Sequence, residues 1–413
     1  MQDITTGKKI ILGFQHVLAM FGATVLVPIL TGLNPAVALL SAGVGTLIFH
    51  ACTKGIVPVF LGSSFAFITA IQLTLATHGM ASLKGGVIAA GVIYMIMGGV
   101  IKIVGVDAVK SFFPPIVIGP VIMIIGLRLS STAMGMIGYA PIGDTGMFSI
   151  DLKGLLVASV VVITMIIISA FAKGFFKLVP ILISVIVGYL LAYALGMVDV
   201  EIIQKAKWIG YSTEALADLF TVPSFNWESI IAIAPIALVV FIEHIGDITT
   251  NGAVVGKDFF ENPGVHRTLL GDGLATVAAG LLGGPANTTY GENTGVLAVT
   301  KVYDPGVIRI AAVVAILLSG VGKFGGLIQA IPGPVMGGVS IILFGMIASI
   351  GVRTLVESQL DFSLSRNMLI ASIIFVTGIG IDNIQIIGSI TISGLAIAAL
   401  IGVVLNKIIP KDI

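Results

Sequence analysis

The chain has 413 residues, of which 57% are hydrophobic and only 10% are charged, and its mean hydropathy is +1.14. Soluble domains carry about 25% charged residues, so this composition excludes a soluble protein and predicts an all-α polytopic membrane protein in contact with the lipid bilayer. The net charge of +1 indicates no nucleic-acid partner, and the single cysteine, Cys52, excludes an intramolecular disulfide and a multi-cysteine metal site.

Apolar stretches recur along the whole chain. Residues 1–9 are polar and run directly into a full-length apolar stretch, so no cleavable signal peptide is expected. A spanning helix needs about 20 apolar residues. On that basis the sequence predicts fourteen segments, at 11–31, 35–53, 63–79, 85–104, 114–132, 154–172, 177–197, 229–250, 267–284, 292–301, 306–330, 334–352, 367–381 and 388–408. The longest polar connection, 198–228, divides them into two sets of seven.

The basic residues predict an orientation. With the N-terminus in the cytoplasm, most of the 21 Lys and Arg residues fall on the cytoplasmic side. The outer side then holds Lys84, Arg128, Lys153, Lys205, Lys207 and Lys323. Because cytoplasmic loops carry an excess of Lys and Arg, this distribution predicts both termini in the cytoplasm and the 198–228 connection outside.

The two sets of seven show weak internal symmetry. Three motif pairs recur in the same order at near-equal offsets, namely Phe14-Gln15-His16-Val17 with Ile242-Glu243-His244-Ile245, Ser63-Ser64-Phe65 with Thr289-Tyr290-Gly291, and Pro114 with Pro332. Seven is an odd number, so the second repeat must be inverted in the membrane. Inverted repeats with broken helices at matching positions are typical of secondary transporters, whose substrate site lies at the breaks.

The third and tenth segments begin with residues that disfavour a continuous helix. Val57-Pro58 and Gly62-Ser63-Ser64 precede the third, and Gly283-Gly284-Pro285 and Asn287-Thr288-Thr289 precede the tenth. These residues predict extended backbone that leads into half-helices near the membrane midplane. The free N–H groups and partial positive charge at the half-helix N-termini would bind carbonyl oxygens or anions.

Two glutamates lie in these apolar surroundings, Glu243 within 239–247 and Glu292 within 287–295. An acid at the bilayer centre costs about 2.5–3.5 kcal/mol on insertion scales, so such residues usually line a protected cavity and have a function. Asp247 follows Glu243 by four positions and shares its helix face, a pairing that suits proton binding. A small planar ligand with alternating C=O and N–H groups would satisfy both the acids and the half-helix N-termini.

The tenth segment carries a family motif. Glu292-Asn293-Thr294-Gly295, followed by Thr300-Lys301, resembles the signature of the nucleobase–ascorbate transporter (nucleobase:cation symporter-2) family. Gln15-His16 resembles the Gln-His pair in the first segment of that family. The resemblance extends over 13–407 and is strongest to the bacterial uracil:proton symporters of the family.

The resemblance implies short β-strands before the third and tenth helices, a domain organisation and a mode of action. Residues 1–104 and 229–330 would form a core domain, and residues 105–197 and 331–413 a gate domain, joined by an extracytoplasmic connection at 198–228. Import would proceed by proton symport through an alternating-access, elevator-like movement of core against gate. The resemblance also implies the bacterial cytoplasmic membrane and a homodimer formed through the gate domain.

The resemblance further implies roles for individual residues. Uracil would be bound by Glu243, Glu292, Phe65, Gly291, Ser64 and Tyr290, with Phe65 and Gly291 contributing their backbone N–H groups. Proton coupling would fall on Glu243, Asp247 and the adjacent His244. Two positions depart from a uracil-carrying member, since Asp247 stands in place of a histidine and Phe344 in place of a tyrosine. Aspartate can also carry a proton, whereas phenylalanine can pack against a ring but cannot donate a hydrogen bond.

Structural roles compete with these functional ones. Glu292 could be only the N-cap of its half-helix, and Glu243 a carboxyl bonded within the core. His244 points about 100° away from Glu243 on a helix, which favours structure for it. Structural roles are also expected for His16, for Asn293 as a clamp of the break, and for a pair between Asp272 and Arg267.

Three functions remain open from the sequence. The first is a proton-driven uracil importer, and the second is a carrier of the same fold for xanthine, another purine or another small anion. The third is a channel or an integral-membrane enzyme. The five histidines are scattered along the chain, and no nucleophile–base pair or metal-ligand cluster is recognisable. The sequence therefore argues against an enzyme, and it predicts neither a cofactor nor a metal.

Overall fold

The computed structural model describes residues 5–105, 111–143, 146–387 and 390–410. Helices dominate the part of the chain before residue 200. They are α1 (Thr6–Thr31), α2 (Pro35–Cys52), α3 (Ile68–Val104), α4 (Pro115–Arg128), α5 (Ser130–Met136), α6 (Leu152–Phe171) and α7 (Pro180–Ala194). Short 3-10 turns occur at Phe65–Phe67 and Gly174–Leu178.

The remaining helices follow after residue 199. They are α8 (Val200–Lys205), α9 (Thr213–Phe220), α10 (Trp227–Ile233), α11 (Ile236–Val255), α12 (Val265–Leu282), α13 (Gly291–Thr300), α14 (Pro305–Ser319), α15 (Gly322–Gln329), α16 (Gly333–Glu357), α17 (Ser365–Gly380) and α18 (Gly394–Ile408). Asn34 illustrates how such helices begin, because its side chain caps α2 at the Ala36 N–H while Pro35 occupies the first turn.

Three antiparallel two-stranded ribbons complete the described fold. β1 (Leu61–Ser63) pairs with β4 (Asn287–Thr289), β2 (Tyr139–Pro141) with β3 (Phe148–Ile150), and β5 (Asn383–Ile387) with β6 (Ile390–Ser393). The first ribbon joins two distant parts of the chain and is fully buried. The prediction of short strands before the third and tenth segments therefore matches the observed β1 and β4.

The helices form a polytopic membrane fold. Within the described residues, seven helices or helix pairs are long and apolar enough to cross a membrane, and an eighth is obtained if α14 and α15 count as one bent span. Three shorter apolar helices are α7, α17 and α18. The prediction of a polytopic membrane protein is thus confirmed.

Several predicted boundaries were wrong. The predicted segment 306–330 is not one helix, because α14 and α15 meet at an angle of 84°. The predicted segment 388–408 begins too early, since β6 occupies Ile390–Ser393 and the helix starts only at Gly394. The predicted end of the third segment at residue 79 does coincide with a break within α3, where Gly79 has φ 72° and ψ −177°.

Glycines allow the helices that carry the site to approach closely. A Cβ on Gly91 in α3 would lie 2.6 Å from the Gly273 carbonyl oxygen in α12, and a Cβ on Gly273 would lie 2.7 Å from the Gly91 carbonyl oxygen. Such contacts leave no room for a side chain on either partner. Close helix contact through small residues is a common packing mode in membranes, where dispersion rather than hydrophobic burial holds helices together.

Basic side chains satisfy carbonyl groups at the ends of neighbouring helices. The last carbonyls of a helix have no partner within it. Lys84 donates to the Leu281 oxygen near the end of α12, and Arg128 donates to the Gly378 and Ile381 oxygens at the end of α17. Arg366 donates to the Asn406 and Ile409 oxygens at the end of α18. These contacts fix the ends of helices that carry few other polar groups.

Candidate functional site

The β1–β4 ribbon brings the two sequence breaks together inside the helical bundle. Leu61 pairs with Thr289 and Ser63 with Asn287. Two further hydrogen bonds extend the ribbon, from the Ser64 N–H to the Ala286 oxygen (2.9 Å) and from the Tyr290 N–H to the Phe60 oxygen (3.0 Å). Backbone polar groups at this depth are therefore satisfied by protein, as non-helical chain in a membrane requires.

A helical turn starts at the end of each strand. The 3-10 turn Phe65–Phe67 follows Ser64 and leads into α3, and α13 follows Tyr290. Neither Ser64 nor Tyr290 caps its helix through its side chain. The Ser64 Oγ is buried without a hydrogen-bond partner among the described residues. Two helix N-termini with uncapped N–H groups thus lie at the two ends of one ribbon.

Tyr290 packs across this ribbon. Its ring is 4% exposed, and its hydroxyl donates to the Ser63 oxygen at 3.0 Å. A Cβ at Gly62 would lie 2.7 Å from the Tyr290 hydroxyl oxygen and would collide with the ring, so glycine is required there. The Tyr290 side chain is therefore fixed beside the site with its hydroxyl already bonded.

The predicted acids lie on one face of α11 and at the start of α13. Glu243 and Asp247 are half-buried, and Gly246 between them is exposed with no atom near the position of a Cβ. Gly291 is exposed as well, and a Cβ there would lie 3.7 Å from the Asp247 Oδ1. We call the open space bordered by Glu243, Gly246, Asp247 and Gly291 the crevice.

Three carboxyl groups interact at the crevice. Glu292, the second residue of α13, is half-buried, and its charge interacts electrostatically with both Glu243 and Asp247. Tyr290 rather than Glu292 occupies the N-cap position of α13. None of the three carboxyls forms an ion pair with any residue between 5 and 410 that the structure describes. Their carboxyl groups are therefore available to a ligand or a proton.

Asp247 has one neutral partner. The Thr289 hydroxyl, at the end of β4, donates to its Oδ2 at 2.7 Å. One turn further along α11, the Asn251 amide donates to the Thr294 hydroxyl oxygen (3.0 Å) and to the Pro58 oxygen (3.3 Å). Asp247 lies next to Gly291, and Asn251 next to Thr294, so α11 and α13 run in the same direction. Sequence reasoning missed both Thr289 and Asn251 as partners of the site.

His244 lies on a neighbouring, buried face of α11 rather than in the crevice. It is fully buried, with Nδ1 2.9 Å from the Asp272 Oδ2 and Nε2 2.8 Å from the Thr268 Oγ1. Thr268 donates its own O–H to the Val265 oxygen, so its oxygen accepts from Nε2. Both ring nitrogens thus have a partner within hydrogen-bond distance, and the His244–Asp272 pair is enclosed in the core.

The expected pair between Asp272 and Arg267 was wrong. Asp272 is paired with His244, and Arg267 instead donates to the Cys52 oxygen at 3.2 Å. Arg267 is thus another of the basic side chains that satisfy a helix end, here that of α2. The two residues stand five positions apart on α12, so they do not share a face of that helix.

Asn293 ties the half-helix to α1. Its amide lies 3.0 Å from the His16 Nδ1 and donates to the His16 backbone oxygen at 3.1 Å. Both residues are almost fully buried. Asn287, part of an Asn-Thr-Thr pattern that could accept a glycan, is also fully buried, which excludes glycosylation of the folded protein.

Two phenylalanines close one end of the region. The rings of Phe65 and Phe344, on α16, meet edge to face with centroids 5.9 Å apart. Beyond Phe65 lies a small cavity of about 20 Å³, lined by residues that include Ile125, Arg128, Ile236 and Ser393. The other end is open, because the exposed positions continue towards the C-terminal ends of α11 and α13, at Thr250, Ala253, Gly295 and Val299.

The described side chains do not favour a metal site. Among the described residues, no group of three or more His, Cys, Asp or Glu side chains is arranged to hold a metal ion. The arrangement instead offers acceptors from three carboxylates and donors from two helix N-termini. It is suited to hydrogen bonding of a small polar molecule and to reversible protonation.

Known proteins resemble this chain in sequence. Residues 7–387 match the Xan_ur_permease model, whose description is "Permease family". The chain is 45% identical over 406 residues to the uracil permease of Bacillus caldolyticus, covering 98% of this chain and 93% of that protein. It is 42% identical over 402 residues to the uracil permease of Escherichia coli (strain K12), covering 97% and 91%. These relatives are permeases rather than enzymes.

Solved structures share the fold. Murine Solute Carrier 26 family member A9, an anion transporter in the inward-facing state, superposes with a TM-score of 0.69 at 10% identity, covering 98% of this chain and 68% of that one. The transmembrane domain of the cyanobacterial bicarbonate transporter BicA gives 0.65 at 16% identity, covering 97% and 96%. At these identities the likeness concerns the fold alone. The family match and the permease relatives together show that the chain is a multi-pass membrane protein of the Xan_ur_permease, or nucleobase:cation symporter-2, family.

Proposed function

We propose that the protein is a secondary active transporter that imports uracil together with a proton. Two relatives that are 42–45% identical to this chain, over nearly the whole length of each protein, are named uracil permeases. One observation carries the proposal at the level of chemistry. Glu243, Asp247 and Glu292 meet without a basic partner, beside a helix N-terminus whose N–H groups are uncapped.

Uracil matches the groups that line the crevice. It is planar, with two N–H donors alternating with two carbonyl acceptors. Glu243 and Glu292 would accept from the N–H groups, while the backbone N–H groups of Phe65 and Gly291 would donate to the carbonyls. Ser64 and Tyr290 would flank the ring. Hydrogen bonds that involve a charged group contribute about 1.5–3 kcal/mol each, enough to discriminate uracil from an analogue that lacks one partner.

The proton would bind at the Glu243/Asp247 pair. Two carboxylates one helix turn apart repel each other, and a neutral substrate does not relieve that repulsion. A shared proton removes one charge and lets the site close around uracil. His244 would keep a structural role, because both of its ring nitrogens already have buried partners in Asp272 and Thr268. Release of the proton at lower proton activity would free uracil and reset the carrier.

Alternating access would follow from a shift of one unit against the other. The crevice is open towards the C-terminal ends of α11 and α13, and the Phe65–Phe344 contact closes the opposite end. We assign residues 1–104 and 229–330 to the moving core and residues 105–197 and 331–413 to the gate. Phe65 then belongs to the core and Phe344 to the gate, so this contact would separate when the site opens to the other side.

The packing of helices supports an inverted repeat of seven plus seven segments. Contacting helix pairs have equivalents in which the two sets exchange places. The contact of α3 with α12 corresponds to that of α14 with α2, and the contact of α6 with α16 to that of α17 with α4. The contact of α6 with α7 corresponds to that of α17 with α18. β1 and β4 occupy matching places in the two halves. We therefore retain fourteen segments as part of the proposal. The proposal also includes both termini in the cytoplasm of a bacterium, a location in its inner membrane, and a homodimer formed through the gate.

Uptake by the purified protein in proteoliposomes tests the function. An inward proton gradient, in sodium-free buffer, should drive labelled uracil inside above its external concentration, and dissipation of the gradient should abolish that accumulation. Excess unlabelled uracil should compete, whereas excess xanthine should not. Accumulation that requires sodium would overturn proton symport. Competition by xanthine but not by uracil would assign a purine carrier of the same fold.

A further inference from the structure

The connection 198–228 exposes many large apolar side chains outside the spanning helices. Both tryptophans of the chain, Trp208 and Trp227, lie in it. The exposed fractions are 76% for Trp208, 84% for Ile209, 80% for Phe220, 78% for Val222, 63% for Phe225 and 74% for Trp227. Burial of one such side chain is worth about 1.5–3 kcal/mol, so a surface left in water would forgo a large stabilisation. We call these six residues the apolar rim.

The backbone of the connection is fixed, so the rim cannot turn inward. The Lys84 ammonium, itself buried, donates to the Leu219 and Thr221 oxygens at 3.2 and 2.8 Å. The Ser224 N–H donates to the Ala81 oxygen at 2.8 Å, directly between Val222 and Phe225. The Ser224 oxygen also lies against Gly85, where a Cβ would collide with it. Val222 and Phe225 are therefore held with their side chains facing away from α3.

The first part of the rim is held in the same way. The Gly210 N–H donates to the Gly320 oxygen at 2.8 Å, next to Ile209. Lys323 donates to the Ile203 and Gln204 oxygens, and its ammonium lies 5.7 Å from the centroid of the Trp208 ring. The Tyr211 hydroxyl bonds to the Ser319 hydroxyl at 2.8 Å. These contacts all anchor the connection to α14 and α15 or to the turn between them.

The position of the rim indicates what covers it. Trp227 is the first residue of a membrane span that runs to Val255, so it lies at the boundary of the hydrocarbon layer. Phe225 and Val222 precede it directly, and the rim is thus continuous with the lipid-facing surface of that span. Trp and other amphipathic aromatic residues concentrate at this boundary. The connection holds five acids and two lysines, so attraction to anionic lipids is not the cause.

We propose that the apolar rim is a lipid-docking surface that rests in the headgroup layer of one leaflet. Trp208, Ile209 and Phe220 would insert beside Trp227, and the acidic residues of the connection would face water. The occupant is the headgroup–acyl boundary of a zwitterionic bilayer rather than a specific lipid. Because the connection is bonded to α3 and to the α14–α15 turn, this contact would set the depth of those helices in the membrane. This proposal does not depend on the transported substrate.

Tryptophan fluorescence tests the proposal, because the chain has only two reporters. Trp227→Phe leaves Trp208 as the single emitter, and Trp208→Phe leaves Trp227 as an internal control at the start of a span. Both variants are reconstituted in phosphatidylcholine with bromine atoms placed either near the headgroup or at the chain ends. Shallow bromines should quench Trp208 about twofold, as for Trp227, and deep bromines should quench it less. Aqueous acrylamide should quench Trp208 weakly.

Three results would overturn the proposal. Strong acrylamide quenching of Trp208 without any effect of brominated lipid would place the rim in water. Protection of Trp208 from both quenchers would indicate a protein contact, for which a second copy of this chain is the first candidate. Loss of Trp208 quenching in a Lys205→Ser, Lys207→Ser variant would show that electrostatic attraction rather than apolar insertion holds the surface. Unchanged quenching in that variant supports the proposal.

Discussion

Two faces of one helix, α11, hold their charges in opposite ways. On the buried face, His244 and Asp272 are fully enclosed and bonded to each other. On the crevice face, Glu243 and Asp247 are half-buried, and among the described residues Asp247 accepts its hydrogen bond from the Thr289 hydroxyl. Burial within a membrane is costly for the ionisable side chains of both faces. The difference teaches that a charge that is neutralised by a neighbour serves the fold, whereas one that is left without a counter-charge is available for a ligand or a proton.

The largest effect on stability should come from Asp272→Ala. Removal of one member of this fully buried His–Asp pair leaves the other without its partner and costs about 3–5 kcal/mol. Thermal unfolding in detergent micelles should therefore occur at a much lower temperature than for the wild type. Asp247→Ala is the matched control, because it removes one hydrogen bond at a half-buried position and should cost only about 1 kcal/mol. Equal unfolding temperatures for the two variants would contradict the distinction between the two faces of α11.

A smaller loss is expected from Gly62→Ala, which tests the ribbon behind the site. The new methyl group would collide with the Tyr290 ring, and overpacking of this kind costs about 1–3 kcal/mol. Gly246→Ala provides the contrast. No atom lies within 4 Å of the added group, so stability should be kept or rise slightly, while uracil uptake should fall because the methyl group enters the crevice. Normal uptake by Gly246→Ala would place the substrate elsewhere.

The smallest effect on stability is expected at Asp304. This acid lies in a loop and has a basic partner. Its carboxylate lies 2.7 Å from the Lys9 ammonium. Partial burial acts to raise the pKa of Asp304, but Lys9 and the Gly306 N–H outweigh it and hold the pKa below its usual range. The pair therefore stabilises the fold at neutral pH, and the contribution is lost as the pH falls through the lowered pKa.

Asp304→Asn isolates that contribution, because asparagine can still cap α14 at Gly306. The variant should lose no more than about 1 kcal/mol at neutral pH, measured by unfolding in detergent, since the pair is partly exposed. In strong acid the difference from the wild type should disappear. A constant difference at every pH would show that the charge of Asp304 is not responsible.

A candidate site could be proposed from the sequence because acids and helix-breaking residues are rare in apolar stretches. Glu243, Glu292 and the breaks before Phe65 and Gly291 each departed from their surroundings in a way that has a known cost. The same residues predicted extended backbone at β1 and β4, and the family resemblance implied that it forms short strands. Local chemistry was sufficient there, since each feature is contained within about ten residues.

Contacts between distant residues could not be predicted in this way. His244 and Asp272 lie on different helices, and the competing pairing with Arg267 was equally plausible from the sequence. The bond from Thr289 to Asp247 depends on how β4 crosses α11. The β5–β6 ribbon was mistaken for the start of a span because Ile390 and Ile392 continue an apolar run. The 84° bend after α14 depends on packing, and no proline at the bend could have predicted it.

The central claim is that the crevice acids bind the transported molecule, and uracil uptake by Glu243→Ala and Glu292→Ala in proteoliposomes tests it most directly. Melting in detergent should first show that both variants remain folded. Each substitution removes a hydrogen bond to a charged acceptor, worth about 1.5–3 kcal/mol, together with the geometry of the site, so uptake should be abolished in both. Near-normal uptake by either folded variant would contradict the account.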